Sequence, residues 1–203
     1  MVPRDEERKA EPGKAERTRV RLVEATGEEI AETGSFSAER VAARAGTSVA
    51  TFYTHLPTKD AALTAAFSAA MDEMVAVIEQ HLAVETLLEG GLEELVQKFV
   101  QASLVFFSSH SLIFRLALAR MPEHRPLREV YRAHESVSFS LYSRFIELGQ
   151  AAGKIRQGDP LLLARAFLVF SQGLNNPLIL GLAEGDPLGG ELAALVVALL
   201  EPR

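Results

Sequence analysis

The stretch Ala43 to Lys59, ARAGTSVATFYTHLPTK, constrains this chain more than any other. Gly46 and Pro57 stand eleven positions apart in it, so no long helix passes through, only short helices joined by tight turns. Upstream, Val20, Val23, Ile30 and Ala31 recur at helical spacing and predict a helix from about Lys14 to Thr33, stopped by Gly34. Ser37 has the chemistry of an N-cap, with Arg40 where a capping box would place Glu, and a short helix follows from Ala38 to Ala45. Gly46-Thr47-Ser48 breaks it, and a second short helix runs to about His55. Pro57 ends that one. Thr58 then caps a long helix carrying Leu63, Phe67, Met71 and Met74 at spacings of three and four.

Two short helices around a glycine turn form a helix-turn-helix, a unit that lays its second helix in the DNA major groove. Val41, Ala42 and Ala45 face Val49, Phe52 and Leu56 across a small core, closed by the first helix. The opposite face carries Thr47, Ser48, Thr51, Tyr53 and Thr54. Short hydroxyl side chains let a helix approach a phosphate backbone closely, where lysines would hold it off. Thr58 beside Lys59 at a helix start offers free N–H groups plus a cation, an anion site. His55 is open to two readings, a phosphate contact or a packed imidazole; one of Arg17, Arg19 and Arg21 could reach phosphate, or all three could line a solvated face.

Charge supports a division of labour. The 203 residues carry a net charge of −6, which argues against an indiscriminate nucleic-acid binder. Residues 1–62 hold ten Lys/Arg against eleven Asp/Glu, whereas 63–203 hold eleven against sixteen, so the acidity lies mostly in the second part. Residues 1–13 read as a charged tail without the apolar core of a signal peptide. The apolar run Leu192–Leu200 is too short to span a bilayer, and a cytoplasmic protein with no membrane partner is expected. With no cysteine, disulfides and thiolate metal sites are excluded.

The remainder also reads as helix, over about 90–108, 111–120, 126–152, 160–180 and 188–200, so the fold class is all-α. Two helix starts share the phrase Gly-Asp-Pro-Leu, at 158–161 and 185–188; Asp caps and Pro occupies the first turn. A cavity between helices would draw its lining from the aromatic set, here Phe106, Phe107, Phe114, Phe139, Tyr142 and Phe170. The embedded polar residues His110, His134, Gln172, Asn175 and Asn176 would orient a ligand, the last three beside Pro177, which should kink or end its helix. Arg165, inside an apolar run, is expected to pair with a carboxylate or to snorkel. The last helix is apolar on more than one face (Leu192, Leu195, Val196, Leu199, Leu200) and so needs two partners: its own core and, in a homodimer through the last two helices, a second subunit.

Ala45-Gly46-Thr47-Ser48, Thr51-Phe52-Tyr53 and His55-Leu56-Pro57-Thr58-Lys59-Asp60 resemble the DNA-binding signature of TetR-family transcriptional repressors, roughly A-G-V-S-x-x-T-L-Y-x-H/Y-F-x-S/N-K-E. The motif covers about residues 15–65; the rest matches only in length and helical layout. The resemblance implies a homodimer whose heads (14–62) read two half-sites of a double-stranded operator, and whose body (63–203) binds a small effector that releases DNA. Carried over by position, Ser48, Thr51, Tyr53, His55 and Lys59 contact the DNA backbone; Thr47, Val49 and Ala50 open the recognition helix and read base edges; Arg40, Thr54 and Thr58 complete the face. Val49 and Ala50 replace the commoner Lys and Gly, so base readout is expected to be apolar, toward thymine methyls. Thr47 replaces Val, and the link from Gly34 to Val41 is about two residues short of the family's usual length.

No nucleophile elbow, phosphate loop or zinc-protease motif is present, and the five histidines form no ligand pair, so neither an enzyme nor a metal or cofactor site is expected. The effector expected from the aromatic lining is hydrophobic or aromatic. The competing function is a helical protein-interaction adaptor, which explains the acidic body but leaves the Thr/Ser/Tyr/Lys face without purpose.

Overall fold

A computed structural model describes residues 13–176 and 186–202. The described residues form helices and no strands: α1 (Lys14–Thr33), α2 (Ala38–Arg44), α3 (Val49–His55), α4 (Lys59–His81), α5 (Val84–Ser109), α6 (Ser111–Arg120), α7 (Arg125–Ala151), α8 (Pro160–Gly173) and α9 (Pro187–Leu200).

Local chemistry fixes the opening three helices. Ser37 Oγ accepts from the Arg40 N–H at 3.3 Å, Ser48 Oγ from Thr51 N–H at 3.1 Å and Thr58 Oγ1 from Ala61 N–H at 3.0 Å. Each such cap contributes ~1 kcal/mol by satisfying a donor that the helix leaves orphaned. Gly46 takes the left-handed region at φ 63°, which lets the Thr47 N–H return to the Ala42 carbonyl at 2.9 Å and turn the chain sharply. Beneath this turn Leu22, Ile30, Val41, Ala42, Phe52 and Leu56 are buried, as the apolar spacing requires, with Val49 half-buried beside them.

α4 is the central helix. It packs against α1, α5, α6 and α7, and runs unbroken from the head into the body. It has the length and hydropathy of a membrane-crossing helix, but its apolar residues Leu63, Phe67, Met71, Met74 and Ile78 are buried inside this bundle. α7 bridges α4 and α8, while α9 packs chiefly on α5. Both Gly-Asp-Pro-Leu phrases behave as expected: Asp159 caps α8 and Asp186 caps α9, with a proline in the first turn of each.

Two expected boundaries are corrected. α5 starts at Val84 rather than near residue 90, because Leu87 is fully buried and anchors two turns that the Gly90-Gly91 pair concealed. Gly91, at φ 84° and ψ 172°, kinks the helix there. α8 ends at Gly173, well short of residue 180, and Leu174 and Asn175 turn back on the carbonyls of Ser171 and Gln172. Pro177, to which the sequence assigned that ending, lies outside the described residues.

Candidate nucleic-acid interface and internal cavity

α3 presents two faces. Phe52 is buried, and Tyr53 sets its ring edge-on against it (centroids 5.1 Å apart, 90° between planes) while staying 44% exposed. Packing therefore fixes one edge of the tyrosine ring while much of the side chain stays open to solvent. Ser48 Oγ and Thr51 Oγ1 lie 2.9 Å apart, so one donates to the other and the pair retains one O–H proton for an outside acceptor. Thr54 instead donates to the Ala50 carbonyl at 2.9 Å. Ala50, Tyr53, Thr54, Thr58 and Lys59 are exposed and Thr47, Thr51 and His55 half-buried, all on or beside α3 and the start of α4. The structure thus gathers the sequence-predicted face into one surface.

Arg40 stands apart from it. Its Nε lies 3.1 Å from the Glu29 carboxylate and its Nη2 donates to the Ser35 carbonyl at 3.1 Å, so the guanidinium is spent tying α2 to the end of α1. Arg44 is spent likewise on Glu28, Glu29 and Glu32; its hydrogen bonds to Glu32 and Glu29 push the guanidinium further toward its charged form, and in return the guanidinium holds Glu32 below the usual carboxylate range. Glu29, almost fully buried, is the anchor of this network. Glu39 is also held low, by its own backbone N–H, by Ser37 and by the cation of Lys59 across the α2–α4 gap.

Four polar contacts grip α4 from the body. Arg120 donates to both oxygens of Asp60 at 2.9 and 3.2 Å, one residue past Lys59, and the carboxylate pushes the guanidinium further toward its charged form. His124 Nε2 lies 3.2 Å from Thr64 Oγ1, His110 Nε2 is 3.3 Å from Glu73 and His134 Nε2 is 2.9 Å from Asp72. His110 and His134 each span a carbonyl of their own helix region and a carboxylate of α4; His134 lies outside the cavity described below, while His110 borders a separate hollow of about 310 Å³ between α1, α4 and the α5–α6 junction.

A cavity further along α4 measures about 200 Å³. Met71, Met74 and Ile78 form its α4 wall; Phe107, Phe114 and Leu118 come from α5 and α6. Tyr131, Glu135, Ser138 and Tyr142 come from α7, and Leu168, Ser171, Gln172 and Asn175 from α8 and its end. Tyr142 is fully buried, and burial pushes its phenol far above the usual tyrosine range; Ser171 Oγ, 2.8 Å away, supplies its partner while donating to the Phe167 carbonyl at 3.0 Å.

Of the expected lining, Phe107, Phe114, Tyr142, Gln172 and Asn175 line this cavity. Phe106 does not: it is buried behind, stacked on His110 at 4.4 Å. Phe139, half-buried against the core, lies under the exposed Arg165 guanidinium, 5.9 Å from its ring, so Arg165 finds an aromatic face rather than a carboxylate. Phe170, half-buried, and Asn176, exposed, lie outside the lining. The α4 methionines, Leu118, Tyr131, Glu135, Leu168 and Ser171 were missed. Met71 and Met74 recur at helical spacing, and nothing in that spacing separates a core position from a cavity wall.

A helix-turn-helix head, fused through one continuous helix to a helical body with an internal cavity, defines the class of this protein. The fold is that of TetR-family transcriptional regulators. A Mesorhizobium loti protein assigned to that family aligns over 94% of this chain and 100% of its own at 18% identity and a TM-score of 0.76. A TetR transcription regulator of Haloarcula marismortui aligns over 91% and 98% at 18% identity, TM-score 0.73. SmeT, solved as a complex with triclosan, aligns over 91% and 92% at 18% identity, TM-score 0.66. By sequence comparison alone the chain matches no family profile and no curated protein.

Proposed function

We propose that this chain is a ligand-responsive transcriptional regulator, a repressor, that binds operator DNA as a homodimer and lets go when a small, largely apolar effector enters the cavity. The observation that carries the reading is a shared helix. Lys59 stands at the exposed start of α4, and Met71, Met74 and Ile78 of the same helix wall the cavity. At 1.5 Å per residue these positions are roughly 18–29 Å apart, so a tilt that makes room for a ligand moves the DNA face directly.

Phe114 extends the link, touching the cavity on one side and packing on Phe67 of α4 at 5.3 Å on the other. α6 transmits the shift a second way, through Arg120 and Asp60. Two heads read half-sites about 34–36 Å apart, and the coupling needed is a few kcal/mol. For the dimer, α8 and α9 expose Leu161, Leu162, Val169, Leu188 and Leu195, an apolar face suited to a two-fold four-helix seam. SmeT, alike in fold, was solved as a complex with triclosan, which supports a small-molecule effector here.

The test is fluorescence anisotropy of the full chain on duplexes tiling the DNA beside its own gene, repeated with Lys59→Ala and across salt concentrations. The expected result is tight binding to one palindromic tile as a dimer, falling ~0.9 log units per phosphate contact per decade of salt. Uniform weak binding, indifferent to Lys59, would replace this function with the protein-interaction adaptor.

A further inference from the structure

The cavity wall is electrostatically lopsided. Its lining includes a single charged side chain, Glu135, and no Lys, Arg or His. Among the described residues Glu135 makes no ion pair: its nearest polar partner is neutral, the Gln172 Nε2, which donates to it at 2.8 Å. Three basic groups of α7 and α8 are committed elsewhere. His134 turns to Asp72, Arg128 donates to the Met121 and Pro122 carbonyls, and Arg165 lies over Phe139. The segment 177–185 that follows the α8 end contributes no Lys, Arg or His in its sequence.

Around that carboxylate stand aromatic faces and soft apolar groups. Tyr131 sits one helical turn before Glu135 on α7, and burial, then the Glu135 charge, push its phenol above the usual tyrosine range, so it meets a ligand as a neutral ring and hydroxyl. Phe107, Phe114, Met71 and Met74 line the rest. An anionic ligand would be desolvated against Glu135 with no cation to offset it; a cation gains a counter-charge and aromatic faces together.

We infer that the cavity selects a lipophilic monocation, an aromatic or alkyl body carrying one ammonium, with the charge beside Glu135 and Tyr131 and the body among Phe107, Phe114 and the α4 methionines. The inference rests on the reading of this cavity as the effector site, and it names the effector's class. Glu135 sets the charge preference; the rest of the wall sets only size and apolarity.

The test titrates the full-length protein, by calorimetry, with three compounds of similar shape and different charge: phenyltrimethylammonium, its carbon isostere tert-butylbenzene, and benzenesulfonate. The expected order is the cation at least tenfold tighter than the isostere, with the sulfonate unbound. Glu135→Gln, which retains the Gln172 hydrogen bond, should abolish the preference by weakening the cation about tenfold or more while leaving tert-butylbenzene unchanged; Glu135→Asp should keep it. Equal binding of cation and isostere, a preference that survives Glu135→Gln, or no binding by any of the three would overturn the inference. The wild-type comparison stands even if the glutamine variant folds poorly. Operator anisotropy run in parallel separates the two readings. A cation bound through Glu135 that leaves operator affinity unchanged removes the effector role and leaves the charge selectivity standing. Operator release by neutral or anionic compounds alone keeps the effector role and overturns the selectivity.

Discussion

The head and the body treat their polar side chains in opposite ways. In the head, Ser37, Ser48 and Thr58 spend hydroxyls on the first turns of the next helices, Arg40 and Arg44 fold onto Glu29, and what remains outward is a small hydroxyl-rich surface with Lys59 at its edge. In the body the polar groups turn inward. Tyr142, Ser171, Glu135 and Gln172 meet at the wall of a void. The head keeps its polar surface outward; the body turns part of its own toward a cavity. Their common element is α4, which supplies a cap and a cation to the first and three apolar residues to the second.

The largest expected effect tests whether the head's minimal core stands alone. Phe52→Ala removes a fully buried ring that also supports Tyr53. The expected loss is ~3–5 kcal/mol of stability, with operator binding abolished, measured by urea denaturation followed by circular dichroism. A single transition shifted as a whole would mean that α4 makes head and body one cooperative unit; an early partial transition would mean that the head melts by itself.

The difference between the regions also explains what could be read from the sequence. Caps, the glycine turn and the apolar spacing of α1 to α3 are local, so residues 14–59 announce their own structure almost to the residue. The cavity is not local. Met71 and Ser171 lie a hundred positions apart and share a wall only because α7 bridges α4 and α8. Aromatic residues could be nominated for a pocket, but Phe106 and Phe139 look like Phe107 and Phe114 in sequence and differ only in which way their helices turn them. The roles of Arg40 and His134 escaped for the same reason: their partners, Glu29 and Asp72, belong to other helices.

A second variant tests the inward-facing polarity. Ser171→Ala takes away the partner of the buried Tyr142 hydroxyl. A donor stranded in an apolar interior costs ~1–3 kcal/mol, so the melting transition should fall accordingly, and Tyr142→Phe in the same background should recover part of the loss. A loss well under 1 kcal/mol, unaltered by the phenylalanine, would mean that water in the cavity takes over the bond.

Lys59→Ala addresses the outward face and is expected to be smaller in stability than in binding. The side chain is exposed, so the fold should be unaffected, while operator affinity drops about tenfold and the salt slope falls by ~0.9, one phosphate contact's worth. A drop without a change in slope would place the lysine's effect in the cap of α4 rather than on phosphate.

The smallest effect is the most discriminating for the comparison. Glu39 is fully exposed at the start of α2, and its carboxylate is held ionised by its own N–H, by Ser37 and by Lys59. If Lys59 faces phosphate, then Glu39 opposes DNA at the same edge, and Glu39→Gln should raise operator affinity by about twofold at low salt, an increase that fades as the Debye length contracts to ~8 Å at physiological ionic strength. The gain should vanish in a Lys59→Ala background only in so far as Glu39 acts by shielding the lysine; if it acts by repelling phosphate directly, the gain persists there. Weakened binding in Glu39→Gln would show that the carboxylate's main work is to support the Ser37 turn, and would move the boundary between outward and inward polarity back onto the head itself.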